Sequence, residues 1–221
     1  MTDATPGEMA PDCICVIDDD PEVRSSIGSL LRSIGYDVRL FDGPGTFLSV
    51  APPTVPACLI LDIRLAGENG LDVQERLADH GIHLPVVLIT GHGDIPMTVR
   101  GMRAGAIDVL PKPFEDEQLL AAVATALDAD RARLAEAAGI ADLKACYERL
   151  TPRERDVMAL VVTGLMNKQV AAKLSLSEIT VKIHRGNMMR KMEAQSLADL
   201  VRMAEQLGVR DATIHRFNIS V

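Results

Sequence analysis

The chain has 221 residues, enough for one large domain or two ordinary ones. Hydrophobic residues make up 48% of it and charged residues 24%, so it can bury a core, yet no apolar run reaches the ~18 residues of a membrane span. The net charge of −8 is uneven: residues 1–147 hold 11 Lys/Arg against 23 Asp/Glu, a balance of −12, and residues 148–221 hold 12 against 8, a balance of +4. An acidic front can hold a metal, and a basic back can approach nucleic acid.

Residues 1–12 (MTDATPGEMAPD) read as a loose leader without the charged-then-apolar layout of a signal peptide, which points to a cytoplasmic protein with no membrane contact. Cys13 to Ile17 is a short apolar strand that runs into Asp18-Asp19-Asp20. Cys13 and Cys15 share a face at ~6.6 Å with parallel side chains, poor disulfide geometry. All four cysteines read as small buried hydrophobes. Pro21 suits the first turn of a helix, in which Val23, Ile27, Leu30, Leu31 and Ile34 recur at helical spacing up to Gly35. Tyr36 to Phe41 alternates as a strand, and a short helix runs to the Pro52-Pro53 break.

Ala57 to Leu61 is an apolar strand that ends in Asp62. A helix follows from Gly70 to His80, then a strand from Leu84 to Thr90, a helix from about Pro96 to Ala104 and a strand from Ile107 to Leu110. Five strands alternating with helices predict a parallel sheet covered on both faces. From Glu115 to about Ala138 there is no proline or glycine. The pattern predicts a long helix interrupted at Gly139 and resumed from Ile140 to Tyr147, a helical connector between two domains. Residues 211–221 form a tail with no clear pattern.

The open end of such a sheet collects what its strands carry there. Asp18, Asp19, Asp62, Thr90 and Lys112 all fall on that rim. Carboxylates without cysteine or close histidine ligands suit a hard cation, and Mg²⁺ needs only a few oxygen ligands beside its waters. The metal would offset charge as a phosphoryl group nears a carboxylate nucleophile. Lys112 can hold phosphoryl oxygens as a point charge, and the Thr90 hydroxyl can donate to one. His92 reads as a surface-loop histidine, and His80, His83 and His215 give no signal.

The segments VIDDD (16–20), LDIR (61–64), ITGHGD (89–94) and PKPFED (111–116) resemble the receiver domain of two-component response regulators. The resemblance covers residues 13–127. It implies an α/β flavodoxin-like fold with strand order 2-1-3-4-5 and makes Asp62 the phosphoacceptor. Asp19, Asp62 and the Arg64 backbone carbonyl would bind Mg²⁺ directly, and Asp18 through water. Thr90 and Lys112 would contact the phosphoryl group, and a phosphohistidine on a sensor histidine kinase would be the donor. Two positions depart from the family. Val109 stands where an aromatic ring usually reports phosphorylation, which leaves the switch to Thr90 and the loop 91–96. The loop after Asp62 carries Ala66 where proline is frequent and Glu68 where an apolar residue is common; the glutamate adds negative charge near the site.

In the basic half, Thr151, Pro152 and Glu154 form a helix start with a capping box. Val157, Leu160 and Val161 follow on one face, and Gly164 ends that helix. Asn167 can cap the next, and Ser177 a third that runs from Glu178 to about Met192. A fourth covers Leu197 to Leu207. Two short helices joined by a tight turn, the second basic, predict a helix-turn-helix. Val181, Met188 and Met192 should be core, leaving Lys182, Ile183, Gly186 and Arg190 for the major groove, with Thr180 at the start of the helix. Lys173, Arg185, Arg190 and Lys191 suit phosphates.

LTPRERDVMALV, GLMNKQVAAKL, SEITVKIHR and MMRKM resemble the LuxR-type domain of the FixJ/NarL family. That implies an all-α four-helix domain whose third helix reads double-stranded DNA, usually as a homodimer on two half-sites. Gly186 departs from the expectation of a side chain that reaches bases. The expected domains are thus 13–127 receiver, 128–147 connector, 148–210 DNA-binding domain and 211–221 tail. The expected function is a transcription regulator switched by phosphorylation of Asp62, without enzymatic activity beyond its own phosphorylation and dephosphorylation. An atypical regulator that ignores phosphate, or a phosphotransfer enzyme, are the other readings.

Overall fold

The computed structural model describes residues 10–91 and 95–209. His92, most of the leader, the tail with His215, and three residues of the loop 91–96 lie outside them. Two compact units divide between Leu134 and Ala135.

The first unit holds a five-stranded parallel sheet. Its strands are β1 (Cys13–Ile17), β2 (Asp37–Phe41), β3 (Ala57–Asp62), β6 (Val86–Thr90) and β7 (Asp108–Pro111). Their order is β2-β1-β3-β6-β7, the expected 2-1-3-4-5 when these five are counted alone. Every residue of β1, β3 and β6 is buried, as strands covered on both faces require. Odd and even positions feed two separate cores. Cys15, Ile17, Leu59 and Leu61 pack with α2 (Pro44–Leu48) and α3 (Gly70–Arg76). Ile14, Val16, Cys58 and Ile60 pack with α1 (Pro21–Ser33) and α5 (Asp116–Glu148). Helix α4 (Ile95–Arg103) lies between β6 and β7 in the chain. The thiols of Cys13, Cys15 and Cys58 are buried, and burial pushes that of Cys58 up to about 12.

Three local expectations are corrected. The helix expected over 70–80 stops at Arg76 and continues as a short 3-10 turn, Ala78–His80, before Gly81 at φ +70°. Between β3 and α3 the chain forms a small hairpin, β4 (Arg64–Leu65) and β5 (Glu68–Asn69), turning on Ala66-Gly67 with Gly67 at φ +91°. Two-residue strands carry no alternation to read. Helix α5 is unbroken through Gly139. One glycine costs a helix only about 1 kcal/mol against alanine, too little to stop a long alanine-rich run.

The second unit contains α6 (Pro152–Val161), α7 (Asn167–Leu174), α8 (Glu178–Lys191) and α9 (Leu197–Gln206). Thr151 caps α6 with Glu154 returning to its N–H, as expected. At α7 the cap is Met166, not Asn167: the Gln169 side chain accepts from the Met166 N–H at 2.8 Å. Val157, Val170, Val181, Met188, Met192 and Leu200 meet in one core.

Candidate functional site

Four strand ends build the rim, and two of them, β1 and β3, deliver its carboxylates. Asp18 follows β1 and is 2% exposed; Asp62 ends β3 and is 6% exposed; Asp19 faces solvent. One carboxylate oxygen from each lies within 4.8 Å of the other two, a spacing that fits a single cation. Lys112 follows β7 and reaches into the cluster: its Nζ donates to Asp62 Oδ2 at 2.5 Å and to Asp18 Oδ2 at 2.8 Å. The Arg64 N–H donates to Asp62 Oδ1 at 3.0 Å, and the Asp20 N–H to Asp18 Oδ1 at 2.9 Å. Thr90 ends β6, is buried, and its carbonyl accepts from the Lys112 N–H at 2.7 Å.

The charges are tightly balanced. Burial pushes the Asp18 carboxyl up, and the hydrogen bond from Lys112 offsets this only in part. Burial alone pulls the Lys112 ammonium down; its bonds to Asp18 and Asp62 outweigh that and hold it above its ordinary value. Packing behind Asp62 is close. A β-carbon at Gly70 would stand 2.2 Å from the Asp62 carbonyl oxygen, so only glycine fits there without a backbone shift.

The basic rim belongs to α8 and α7. Three residues, Ser175 to Ser177, join these helices, with Ser175 at φ +54° closing α7 and the Ser177 hydroxyl capping α8 at the Thr180 N–H. Val181, Met188 and Met192 are buried, while Lys182, Ile183, Gly186 and Arg190 are exposed, as is Lys173 on α7. Thr180 is half-buried.

Three cations of the expected phosphate set have internal partners; that of Arg190 is on its own helix, the Asn187 Oδ1 at 3.0 Å. Arg185 donates to Asn167 Oδ1 at 3.1 Å, tying α8 to the start of α7. Lys191 donates to Glu154 Oε2 at 2.6 Å, and Glu154 is itself buried. Burial pushes the Glu154 carboxyl up, but Lys191 and the Thr151 N–H outweigh this and hold it below the usual carboxylate range. Lys191 is therefore held against Glu154 across the core, whereas Lys173, Lys182 and Arg190 are exposed.

Residues 14–124 match the response regulator receiver domain, and residues 148–204 match the bacterial regulatory proteins of the luxR family. The chain belongs to the response regulators. Nodulation protein W of Bradyrhizobium diazoefficiens is 54% identical over 196 residues, 89% of this chain and 86% of that protein. The transcriptional regulatory protein FixJ of the same organism is 40% identical over 197 residues, 89% of this chain and 96% of that one. The solved structure of the response regulator StyR superposes with a TM-score of 0.76 at 45% identity, covering 89% of this chain and all of StyR. Receiver and LuxR-type halves together imply a histidine kinase upstream and DNA downstream. No helix among the described residues is long and apolar enough to cross a membrane.

Within this receiver, the Glu68 charge is not loose near the site. Its carboxylate pairs with Arg76 on α3. Val109 packs half-buried against the core shared with α3. A buried carboxylate that sequence reasoning missed is Asp130 on α5. It is 1% exposed and accepts from the Ala57 N–H at 2.9 Å and from Arg133 Nε at 2.8 Å. An acidic residue in a charged helical stretch reads as solvated; only the fold turns it inward.

Proposed function

We propose that Asp62 is the phosphoacceptor and that its phosphorylation controls DNA binding by residues 148–210. The observation that carries this is Lys112 Nζ at 2.5 Å from Asp62 and 2.8 Å from Asp18 on one sheet rim. An Asp62 carboxylate oxygen attacks the phosphorus of a phosphohistidine on the sensor kinase. The P–N bond breaks, its electron pair returns to the imidazole, and an acyl phosphate forms on Asp62. Lys112 then exchanges its carboxylate contact for a phosphoryl oxygen, and the Thr90 hydroxyl donates to another.

Asp18, Asp19 and Asp62 suit Mg²⁺, since their oxygens converge within 4.8 Å. Asp19, Asp62 and the Arg64 carbonyl would hold it directly and Asp18 through water. When bound, Mg²⁺ offsets negative charge on the entering phosphoryl group. The receiver catalyses its own phosphorylation and dephosphorylation and turns over no separate substrate. Residues 13–127 serve as receiver, 128–147 as helical connector and 148–210 as the DNA-binding domain. The protein works in the cytoplasm.

On DNA, Lys182, Ile183 and Gly186 face the major groove near Thr180. Lys173, Arg185 and Arg190 lie toward phosphates, with Lys191 supporting α8 from behind. Phosphorylation adds roughly two negative charges and favours a homodimer on two half-sites.

The deciding experiment measures DNA binding by wild type and Asp62→Asn, each with and without a small phosphodonor and Mg²⁺. Stronger binding only for phosphorylated wild type supports the reading. Equal binding in all four conditions removes the switch and leaves a regulator that ignores phosphate, which Val109 in the usual aromatic position favours.

A further inference from the structure

Two of the most exposed large hydrophobic side chains among the described residues sit one turn apart on α8. Ile179 is 74% exposed and Ile183 is 58% exposed. Isolated apolar residues on a surface are ordinary. These two are not isolated. At ~100° per residue, Ile179, Lys182, Ile183, Gly186 and Arg190 fall within about a 100° arc. The buried Val181, Met188 and Met192 centre on the opposite side. The outward stripe of this helix is therefore apolar at its start, bare backbone at Gly186, and cationic along its flank and end.

Gly186 adds an independent observation. A β-carbon built there meets nothing within 4 Å inside the protein. The fold does not require glycine, and alanine would strengthen the helix. The reason for glycine therefore lies in what this face meets.

We propose that Ile179 and Ile183 read the 5-methyl groups of thymines in the major groove, and that Gly186 lets the helix backbone approach the bases. The inference rests on the reading of residues 148–210 as a DNA-binding domain, and it adds Ile179 as a specificity-determining residue. Thymine alone presents a methyl group in the major groove, and an apolar side chain is the group that recognises it. Lys182 and Arg190 supply the charge complementarity that brings this stripe to a duplex. Both isoleucines are exposed, so alanine at either leaves the core intact.

The test uses the full-length protein with Mg²⁺ and a small phosphodonor. A tight-binding duplex is first selected from random sequence, and its thymines are then replaced one at a time by deoxyuridine, which lacks only the methyl. At one or more thymines of each half-site, binding should fall about fourfold per methyl lost, the worth of one buried methylene-sized group. Ile179→Ala and Ile183→Ala should each bind thymine and uracil duplexes alike at the position they read. Gly186→Ala should weaken binding to every duplex while amide exchange in α8 stays as slow as in wild type. Tight binding that is indifferent to every uracil replacement overturns the inference and leaves the DNA-binding domain standing. No binding to any duplex overturns both.

Discussion

Lys112 Nζ lies 2.5 Å from Asp62 Oδ2, and this one ammonium also serves Asp18. Two buried carboxylates thus share one cation. Replacing Lys112 by methionine leaves two buried carboxylates without a charged partner and should destabilise the receiver by about 2 kcal/mol at pH 7. Asp62→Asn relieves repulsion and should raise the receiver's melting temperature in EDTA. Melts of both variants with and without Mg²⁺ check this. Added Mg²⁺ should stabilise wild type more than Asp62→Asn, because a ligand that binds only the folded state raises its stability.

Gly70 should tolerate no side chain without cost to phosphorylation. A β-carbon there would stand 2.2 Å from the Asp62 carbonyl, so Gly70→Ala must move the backbone that carries the nucleophile. Displacement by about 1 Å can cost on the order of 100-fold in rate. Phosphorylation by a small donor should slow by that order, while amide exchange in β1 and β6 stays unchanged. Wild-type rates in the variant would show that the loop can absorb the shift.

Glu154 gives the DNA-binding half a pH dependence. Its carboxyl lies below the usual range in the folded state, so its contribution is complete above about pH 4.3, the ordinary glutamate value, and is lost as pH falls through the folded value. Glu154→Gln should weaken α6 and α8 by about 1 kcal/mol at pH 7, through the capping box and the Lys191 bond. The gap between wild type and variant should hold from pH 8 to about pH 5 and close below about pH 4. Hydrogen exchange of α6 and α8 amides across that range reads it directly.

Asp130→Ala should destabilise the receiver by about 1–3 kcal/mol, because the buried Ala57 N–H loses its acceptor. Asp130→Asn keeps an acceptor and should recover part of the loss. Urea unfolding of the full chain, followed through amide exchange in β3, separates the two.

The parallel sheet and its acidic rim were legible because buried strands read as apolar runs and each run ended in a group with chemistry. The same holds for the Thr151 capping box and for Val181, Met188 and Met192, where spacing alone sorts core from surface. What was not legible depended on partners distant in sequence. Lys191 reads as one more cation on a basic helix until Glu154, 37 positions away, is found beside it. The Asn167 side chain was expected to cap α7; it meets Arg185 instead, and Gln169 serves the cap. Glu68 read as charge added to the site because Arg76, which pairs with it, lies on a helix with no visible reason to reach back. Gly139 misled in the other direction, since a single weak residue does not outvote its neighbours.

Strand β3 is apolar on both faces from Ala57 to Leu61, so a slide by one residue would merely exchange two hydrophobic surfaces. Nothing in its middle specifies its alignment with β1 and β6. The specification comes from its ends. Asp130 grips the N–H of Ala57, the first residue, and Asp62 is the last. A slide toward the rim would pull Ala57 away from its acceptor; a slide the other way would draw Asp62 in among aliphatic side chains. Asp130 thus sets the register that brings Asp62 level with Asp18 and Lys112, from the far end of the strand.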